Sequence, residues 1–201
     1  LTHPHEDHMG SFTDIIKEVG AKRIIMQEIN PSGESDIAAY ERLREAISEN
    51  SVAKAEPYVN MKLNVGEVSV TLIGPVSEYV GNENNLSLIL KVETKALSFL
   101  ITGDAEEDSE KDLVSAYGES LKADVLKAGH HGSKTSTTDE FLAAVSPEYV
   151  VFSAGKGNTF GHPTDEVLSR VHAFGSRILR TDYNGNITFS IVDIYYDLKT
   201  E

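Results

Sequence analysis

The chain reads as a mixed α/β protein whose sheets are covered by helices and whose functional groups ride on loops at strand ends. Three observations predict this. Short β-patterned runs dominate the middle of the 201 residues, with helically spaced segments between them. Six of the seven histidines fall in three polar clusters, His3-Pro4-His5-Glu6-Asp7-His8, His130-His131 and Gly161-His162-Pro163, and the last two follow such runs. The chain is 40% apolar and 25% charged, a globular composition with length for one domain over residues 1–201.

In order along the chain, Ser11 to Val19 carries apolar residues at 12, 15, 16 and 19, a helical spacing that Gly20 ends. Arg23 to Gln27 is a short buried strand, Asn30 to Ser35 a loop, and Asp36 to Glu49 a helix with Ala38, Leu43 and Ala46 inward. Ala55 to Pro57 and Met61 to Val65 lead into a strand over Glu67 to Ile73. After a polar loop over Val80 to Asn85, Leu86–Val92 and Leu97–Thr102 form a hairpin around Glu93-Thr94-Lys95. Asp108 to Ala116 is helical, Asp124 to Ala128 a strand, and Thr138 to Val145 a helix capped by Ser136 or Thr137. Tyr149 to Ser153 is a strand, and Asp165 to Phe174 a helix capped by Thr164. Ile178–Thr181 and Asn186–Val192 are strands, with Asn184-Gly185 between them as a two-residue hairpin signal.

The net charge of −14 is uneven: residues 1–120 hold 10 basic and 22 acidic side chains, residues 121–201 hold 8 and 10. Such a chain does not attract nucleic acid through a general field, so a DNA substrate requires metal ions and local lysines. The absence of cysteine removes disulfides and thiolate ligands. No run approaches the roughly eighteen apolar residues of a membrane span, and the start shows no signal-peptide pattern. A loop carrying four ligands ordinarily follows a buried strand, yet this motif begins at the third residue. The expectation is a fragment, or a chain whose ordered part begins late.

The chemistry lies in four segments. In the first, His3 and His5 sit two apart, a spacing suited to one ion, and Asp7 and His8 follow directly, turned toward a second. Leu100-Ile101-Thr102-Gly103-Asp104 is an apolar strand ending in a carboxylate that bridges two cations or, alternatively, caps the following helix. In Asp124-Val125-Leu126-Lys127-Ala128-Gly129-His130-His131-Gly132-Ser133, one histidine of the pair ligates a metal and the other meets substrate. The glycine-rich loop from Ser153 to Pro163 can offer N–H groups to a phosphate, Lys156 adds a cation, and His162 is a ligand or a proton donor. His172 lies within a helix and reads as packing or surface.

The order His3-x-His5-x-Asp7-His8, Gly103-Asp104, His130 resembles the metallo-β-lactamase superfamily. Five finer motifs, Asn84-Asn85-Leu86-Ser87-Leu88-Ile89-Leu90, Thr102-Gly103-Asp104, the Asp124–Ser133 segment, Gly161-His162-Pro163 and Arg180-Thr181-Asp182-Tyr183-Asn184-Gly185-Asn186-Ile187, narrow it. They resemble the C-terminal hydrolase domain of ComEC/Rec2 competence proteins, over nearly the whole chain. The resemblance implies an αββα sandwich, here without its first strands, and two divalent ions, zinc or manganese, at one edge. It places His3 and His5 on the first ion, Asp7, His8 and His130 on the second, and Asp104 between them. The third histidine that many members place on the first ion has no counterpart; Asn84-Asn85 stands there, which leaves that position open or completed by water.

The function this implies is a metal-dependent phosphodiesterase, a nuclease acting on DNA in uptake. In that family context the domain is linked to a membrane channel domain of the same protein on the extracytoplasmic side; outside it, the chain is secreted or soluble. Asp7 is then base or orienter of the attacking water, and His162 and His131 protonate the leaving oxygen. Ser133, Lys134 and Lys156 contact phosphate. The competing readings are a secreted phosphodiesterase on a cell-wall or small-molecule diester such as phosphocholine, a lactonase or β-lactamase, and a non-catalytic domain that binds or gates a channel. An enclosed cage of Tyr and Phe beside the metals would mark the choline reading.

Overall fold

A computed structural model describes residues 1–201, with eleven strands and seven α-helical segments. The strands are β1 (Arg23–Ile25), β2 (Ala53–Ala55), β3 (Lys62–Val65), β4 (Val68–Gly74), β5 (Ile89–Glu93), β6 (Ser98–Ile101), β7 (Val125–Lys127), β8 (Tyr149–Phe152), β9 (Arg177–Arg180), β10 (Ile187–Val192) and β11 (Tyr195–Thr200). The helices are α1 (Glu6–Met9), α2 (Phe12–Asp14, continued by a π turn over Ile15–Val19), α3 (Glu34–Glu49), α4 (Glu107–Tyr117), α5 (Asp139–Val145), α6 (Asp165–Phe174) and α7 (Thr181–Asn184). Strands β3 to β9 form one seven-stranded sheet in sequence order. It is antiparallel from β3 to β6 and parallel from β6 to β9.

The alternation of side chains across β6–β8 sorts the core into two faces. Leu100, Leu126, Val150 and Phe152 point to one side and pack with Leu113 of α4, Phe141 and Leu142 of α5 and Val167 and Val171 of α6. Complete burial of side chains such as Phe141 and Leu126 contributes about 1.5–3 kcal/mol each. Phe99, Val125 and Tyr149 point to the other side, where Phe189, Ile191 and Leu198 of the β10–β11 hairpin cover them. Farther along that face, Leu63, Val70 and Leu90 meet Leu1, Phe12 and Ile25 across an apolar cavity of about 330 Å³. There β1 and β2 form a small parallel pair, with Leu43 and Ala46 of α3 packed beside Ile24 and Met26. The layers therefore run helices, large sheet, two small β pairs, helix.

Two sequence expectations are corrected. Helix α5 is capped by Thr138, whose hydroxyl accepts from Phe141 N, not by Ser136 or Thr137; such a cap is worth about 1 kcal/mol. The Asn184-Gly185 pair does not join β9 to β10 in a hairpin. Asn184 Oδ1 accepts from Arg180 N at 2.8 Å, Thr181 Oγ1 accepts from Ala154 N at 2.9 Å, and Arg180 pairs with Asp182, so the segment closes into the single turn α7. Strand β10 pairs instead with β11, which the sequence reading missed; Tyr196 and Leu198 are its only alternating apolar pair, and they turn toward Tyr149 and Val125 of the large sheet.

Four parallel strands, β6 to β9, all end at one edge of the sheet. The loops after them carry Asp104, the His130-His131 pair, the 153–163 segment and Thr181. Ligand sites at the carboxyl ends of parallel strands follow from this geometry, since that edge collects several loops at once.

Candidate metal centre

The first cluster reaches this edge because α1 starts at once after His5. His8 N and Met9 N both bond to His5 O, at 3.0 and 3.1 Å, so the chain turns back and directs residues 3, 5, 7 and 8 to one place. Asp36 of α3 accepts from Glu6 N at 2.7 Å and fixes that turn. Gly103 has φ 54°, and a Cβ there would come within 2.8 Å of Ser87 Cβ and 3.2 Å of Thr2 Cβ; glycine lets the β6 end approach Ser87 and the residue before His3 this closely.

Two groups of side chains have ligand atoms close enough together to hold a metal ion. One is His3, His5 and Asp104; the other is Asp7, His8, Asp104 and His131. Asp104 belongs to both. His3 Nε2 lies 3.1 Å from His5 Nδ1, and His8 Nε2 lies 3.1 Å from His131 Nε2. Tetrahedral zinc with Zn–N bonds of about 2.0–2.1 Å places its ligand nitrogens about 3.3 Å apart, so both spacings fit. Asp104 is 2% exposed, and its Oδ1 is buried without a hydrogen-bond partner. His8 Nε2 is only 3.1 Å from that oxygen but lies off hydrogen-bonding geometry, as two ligands of one ion would. An orphaned carboxylate oxygen among imidazoles is what a bound cation would satisfy. All donors are nitrogen or oxygen, which fits zinc and manganese alike.

Each imidazole is set by a partner on its far side, the arrangement that fixes tautomer and ring angle in metal sites. His3 Nδ1 faces Ser87 Oγ and Thr2 Oγ1, both at 3.2 Å. His8 Nδ1 is 3.4 Å from Thr2 Oγ1. His131 Nδ1 donates to Ser153 O at 2.6 Å. Glu83 Oε2 stands 3.4 Å from His5 Nε2, buried and without a well-formed hydrogen bond to any group.

The electrostatics divide the centre. Burial pushes the His3 imidazole down to about 3, so it is neutral. Hydrogen bonds to Asp104 and Asp7 push His131 up to about 10 in the ion-free chain. The same bond from His131 holds Asp7 down at about 2. Burial opposes ionisation of Asp104, but His131, His8 and the nearby Lys127 outweigh it and hold the carboxyl far below its usual range.

The expectation that His130 joins the second ion fits the geometry less well than His131. His130 and His131 both adopt left-handed backbone, φ 44° and 53°, which costs about 1–3 kcal/mol per residue and turns adjacent rings apart. His130 Nε2 is 3.8 Å from Asp104 Oδ2, while its Nδ1 pairs with Glu106 at 3.0 Å. His162 stands outside both groups, its ring edge-on to His130 at 5.5 Å. Burial and the neighbouring histidines lower its pKa.

The expected phosphate contacts are not gathered here. The Ser133 hydroxyl is taken by Thr135 Oγ1 at 2.9 Å. Lys134 lines a separate cavity with Glu106, Glu107, Asp108 and Glu166. Lys156 is exposed and lines neither of the two cavities that open on the centre. The loop bearing Ser133 and Lys134 is propped by buried Glu110, which accepts from Thr137 N and Thr138 N, and by Arg170, which donates to the carbonyls of Ser136 and Thr137.

Sequence reasoning missed Lys127. Its Nζ donates to Gly103 O at 2.6 Å and lies 3.7 Å from Asp104 Oδ1, a partly buried cation beneath the shared carboxylate. The available signal was a lysine at the end of an otherwise apolar strand. Glu106 was missed as well; it accepts from Asn82, Asn84 and Thr135 besides His130.

Comparison with known proteins accounts for this arrangement. The family model described as the metallo-beta-lactamase superfamily matches residues 1–156. ComE operon protein 3 of Bacillus subtilis (strain 168) is 35% identical over 189 residues, 94% of this chain and 24% of that protein. Competence protein ComA of Neisseria gonorrhoeae is 44% identical over 110 residues, 55% of this chain and 16% of that protein. The chain thus spans about a quarter or less of these relatives. Among solved structures, CmlA, a diiron β-hydroxylase from Streptomyces venezuelae, superposes with a TM-score of 0.58 at 15% identity, over 89% of this chain and 42% of CmlA. Zn(2+)-bound PqqB from Methylobacterium extorquens gives 0.53 at 15% identity, over 90% and 69%. These two share the fold. No helix of the chain is long and apolar enough to cross a membrane. With its αββα layers, its candidate metal-ligand groups and its similarity to competence proteins, the chain belongs to the metallo-β-lactamase superfamily.

Proposed function

We propose that the chain is a metal-dependent phosphodiesterase, a nuclease that acts on DNA during uptake. The observation that carries this is Asp104, a buried carboxylate shared by two ligand groups, with one oxygen unpaired. In this reading His3 and His5 hold one divalent ion, Asp7, His8 and His131 hold a second, and Asp104 bridges them. When bound, such a pair lowers the pKa of water and neutralises charge that develops on a phosphoryl group.

The side chains do the remaining work. Asp7 is 61% exposed and ionised, so its free oxygen can orient the attacking water. Lys127 offsets the charge of Asp104 and keeps it from repelling a phosphodiester. His131 cannot protonate the leaving oxygen while its Nε2 is a ligand, and its Nδ1 is engaged with Ser153. His162, at the rim and outside both groups, is assigned to steady the leaving oxygen with a hydrogen bond from its neutral imidazole N–H.

The similarity to competence proteins supports DNA as substrate, a channel domain elsewhere in the same protein as partner, and a place on the extracytoplasmic side of the membrane. The phosphocholine reading calls for an enclosed aromatic cage, and the two cavities at the centre contain Phe160 as their sole Phe or Tyr. The deciding experiment is hydrolysis of single- and double-stranded DNA beside a small phosphodiester, in zinc and in manganese. Metal-dependent cleavage of DNA is expected. Cleavage of the small ester alone would redirect the assignment to a small-molecule or cell-wall phosphodiesterase. No cleavage by folded, metal-loaded protein would leave a binding or gating role.

A further inference from the structure

The rim of the centre carries one feature that ion binding does not use. Phe160 is 81% exposed. It lines both the cavity bounded by Asp7, His131 and Ser153 and the one bounded by His5, Asp104 and His130, so it stands where the two meet. Its ring is stacked on His162, with centroids 6.1 Å apart and planes 25° apart. The loop that presents it is pinned, because Asn158 donates to Gly155 O and His162 O and accepts from His162 N. An exposed phenyl alone is ordinary. A flat ring held in place beside a candidate phosphodiester site is a surface on which a base can stack.

The charge distribution gives the ring its importance. The chain carries −14, and Lys134 and Lys156 do not line the cavities at the centre. Binding of a polynucleotide here draws little from neutralising its backbone. Stacking on an aromatic side chain is the other sequence-tolerant source of affinity. It favours a base that is not already stacked within a duplex.

We infer that Phe160 is the stacking platform for the nucleobase next to the phosphodiester held at the Asp104 cluster, so that the substrate is an unstacked, single-stranded polynucleotide. This rests on the phosphodiesterase reading and narrows its substrate. The side chain acts on binding: it holds the base, and the phosphate is thereby registered over the ligand cluster.

The chain contains no tryptophan, so Phe160→Trp places its sole tryptophan at the platform, where it can be excited selectively over the tyrosines. Titration with a short single-stranded oligonucleotide is expected to quench it. The same strand made abasic, and a blunt duplex of the same sequence, are expected to quench it weakly. In cleavage assays Phe160→Ala is expected to raise KM for the base-bearing strand roughly 5- to 150-fold, the span that stacking of one base is worth, with Phe160→Trp restoring it. The abasic strand should not respond to Phe160→Ala. Equal quenching by base-bearing and abasic strands, or an unchanged KM in Phe160→Ala, would overturn the inference and leave the nuclease reading intact. Base-specific quenching in a protein that cleaves no strand in either metal would overturn the nuclease reading while the platform stood.

Discussion

The two halves of the candidate centre are built differently. The His3–His5 half comes from one short stretch of chain, and His3 is buried against hydroxyls and neutral. The Asp7–His8–His131 half joins residues more than a hundred positions apart, lies open to solvent at Asp7, and without an ion is a network of charged pairs. The difference teaches that a common donor chemistry can be prepared for an ion in two ways. In one half, desolvation strips His3 of its proton in advance. The other holds the geometry with a proton where the ion would sit, and must expel that proton on binding.

Substitution at the residue common to both halves has the largest expected effect. Asp104→Asn should reduce hydrolysis to background and lower the content of both ions, with the fold intact by circular dichroism; undiminished activity would remove the shared role. Next come single-half changes. His3→Ala and His131→Ala should each lower bound metal from two ions to one, measured by elemental analysis of dialysed protein, whereas His162→Ala should lower turnover and keep both. Loss of metal in His162→Ala would make it a ligand. Glu83→Gln removes the carboxylate behind His5 and should weaken one ion by about tenfold, the lower end for such partners, leaving the other unchanged in a competition titration.

The smallest effect is a proton count. His131 titrates near 10 against an ordinary value of 6.5. Its pairing with Asp104 and Asp7 therefore stabilises the ion-free chain fully below about 6.5, and that contribution is lost as pH rises through about 10. Metal titration near pH 8 in weak buffer should release about one proton for the His131 half. His3, lowered to about 3, should release none there; its neutrality instead costs stability as pH falls from 6.5 toward 3. Release of no proton at all would erase the distinction between the halves.

Much of the fold was legible because apolar periodicity is local. Helices α3, α4 and α6 and strands β4 to β9 lie close to where their patterns place them. Pairing partners are not local. The Asn184-Gly185 signal was sound turn chemistry, but side-chain bonds from Thr181 and Asn184 captured the segment as a helical turn, and β10 found β11 instead. Of the candidate site, the types and order of the ligating residues were readable, since few chemistries place imidazoles and carboxylates at such spacing. The partners that orient them were not: Ser87, Thr2 and the Ser153 carbonyl are ordinary groups until the sheet brings them to the rings.

By itself the sequence determined the donor chemistry, the glycines that allow close approach, and the strands whose ends carry the loops. These are properties of residue type and short-range pattern. Tertiary structure alone decided which of two adjacent histidines faces Asp7 and His8, and that Lys127 lies beneath Asp104. Two consecutive left-handed residues send neighbouring rings in different directions, and the role of a strand-end lysine is recognisable only when the carboxylate it serves has been folded over it.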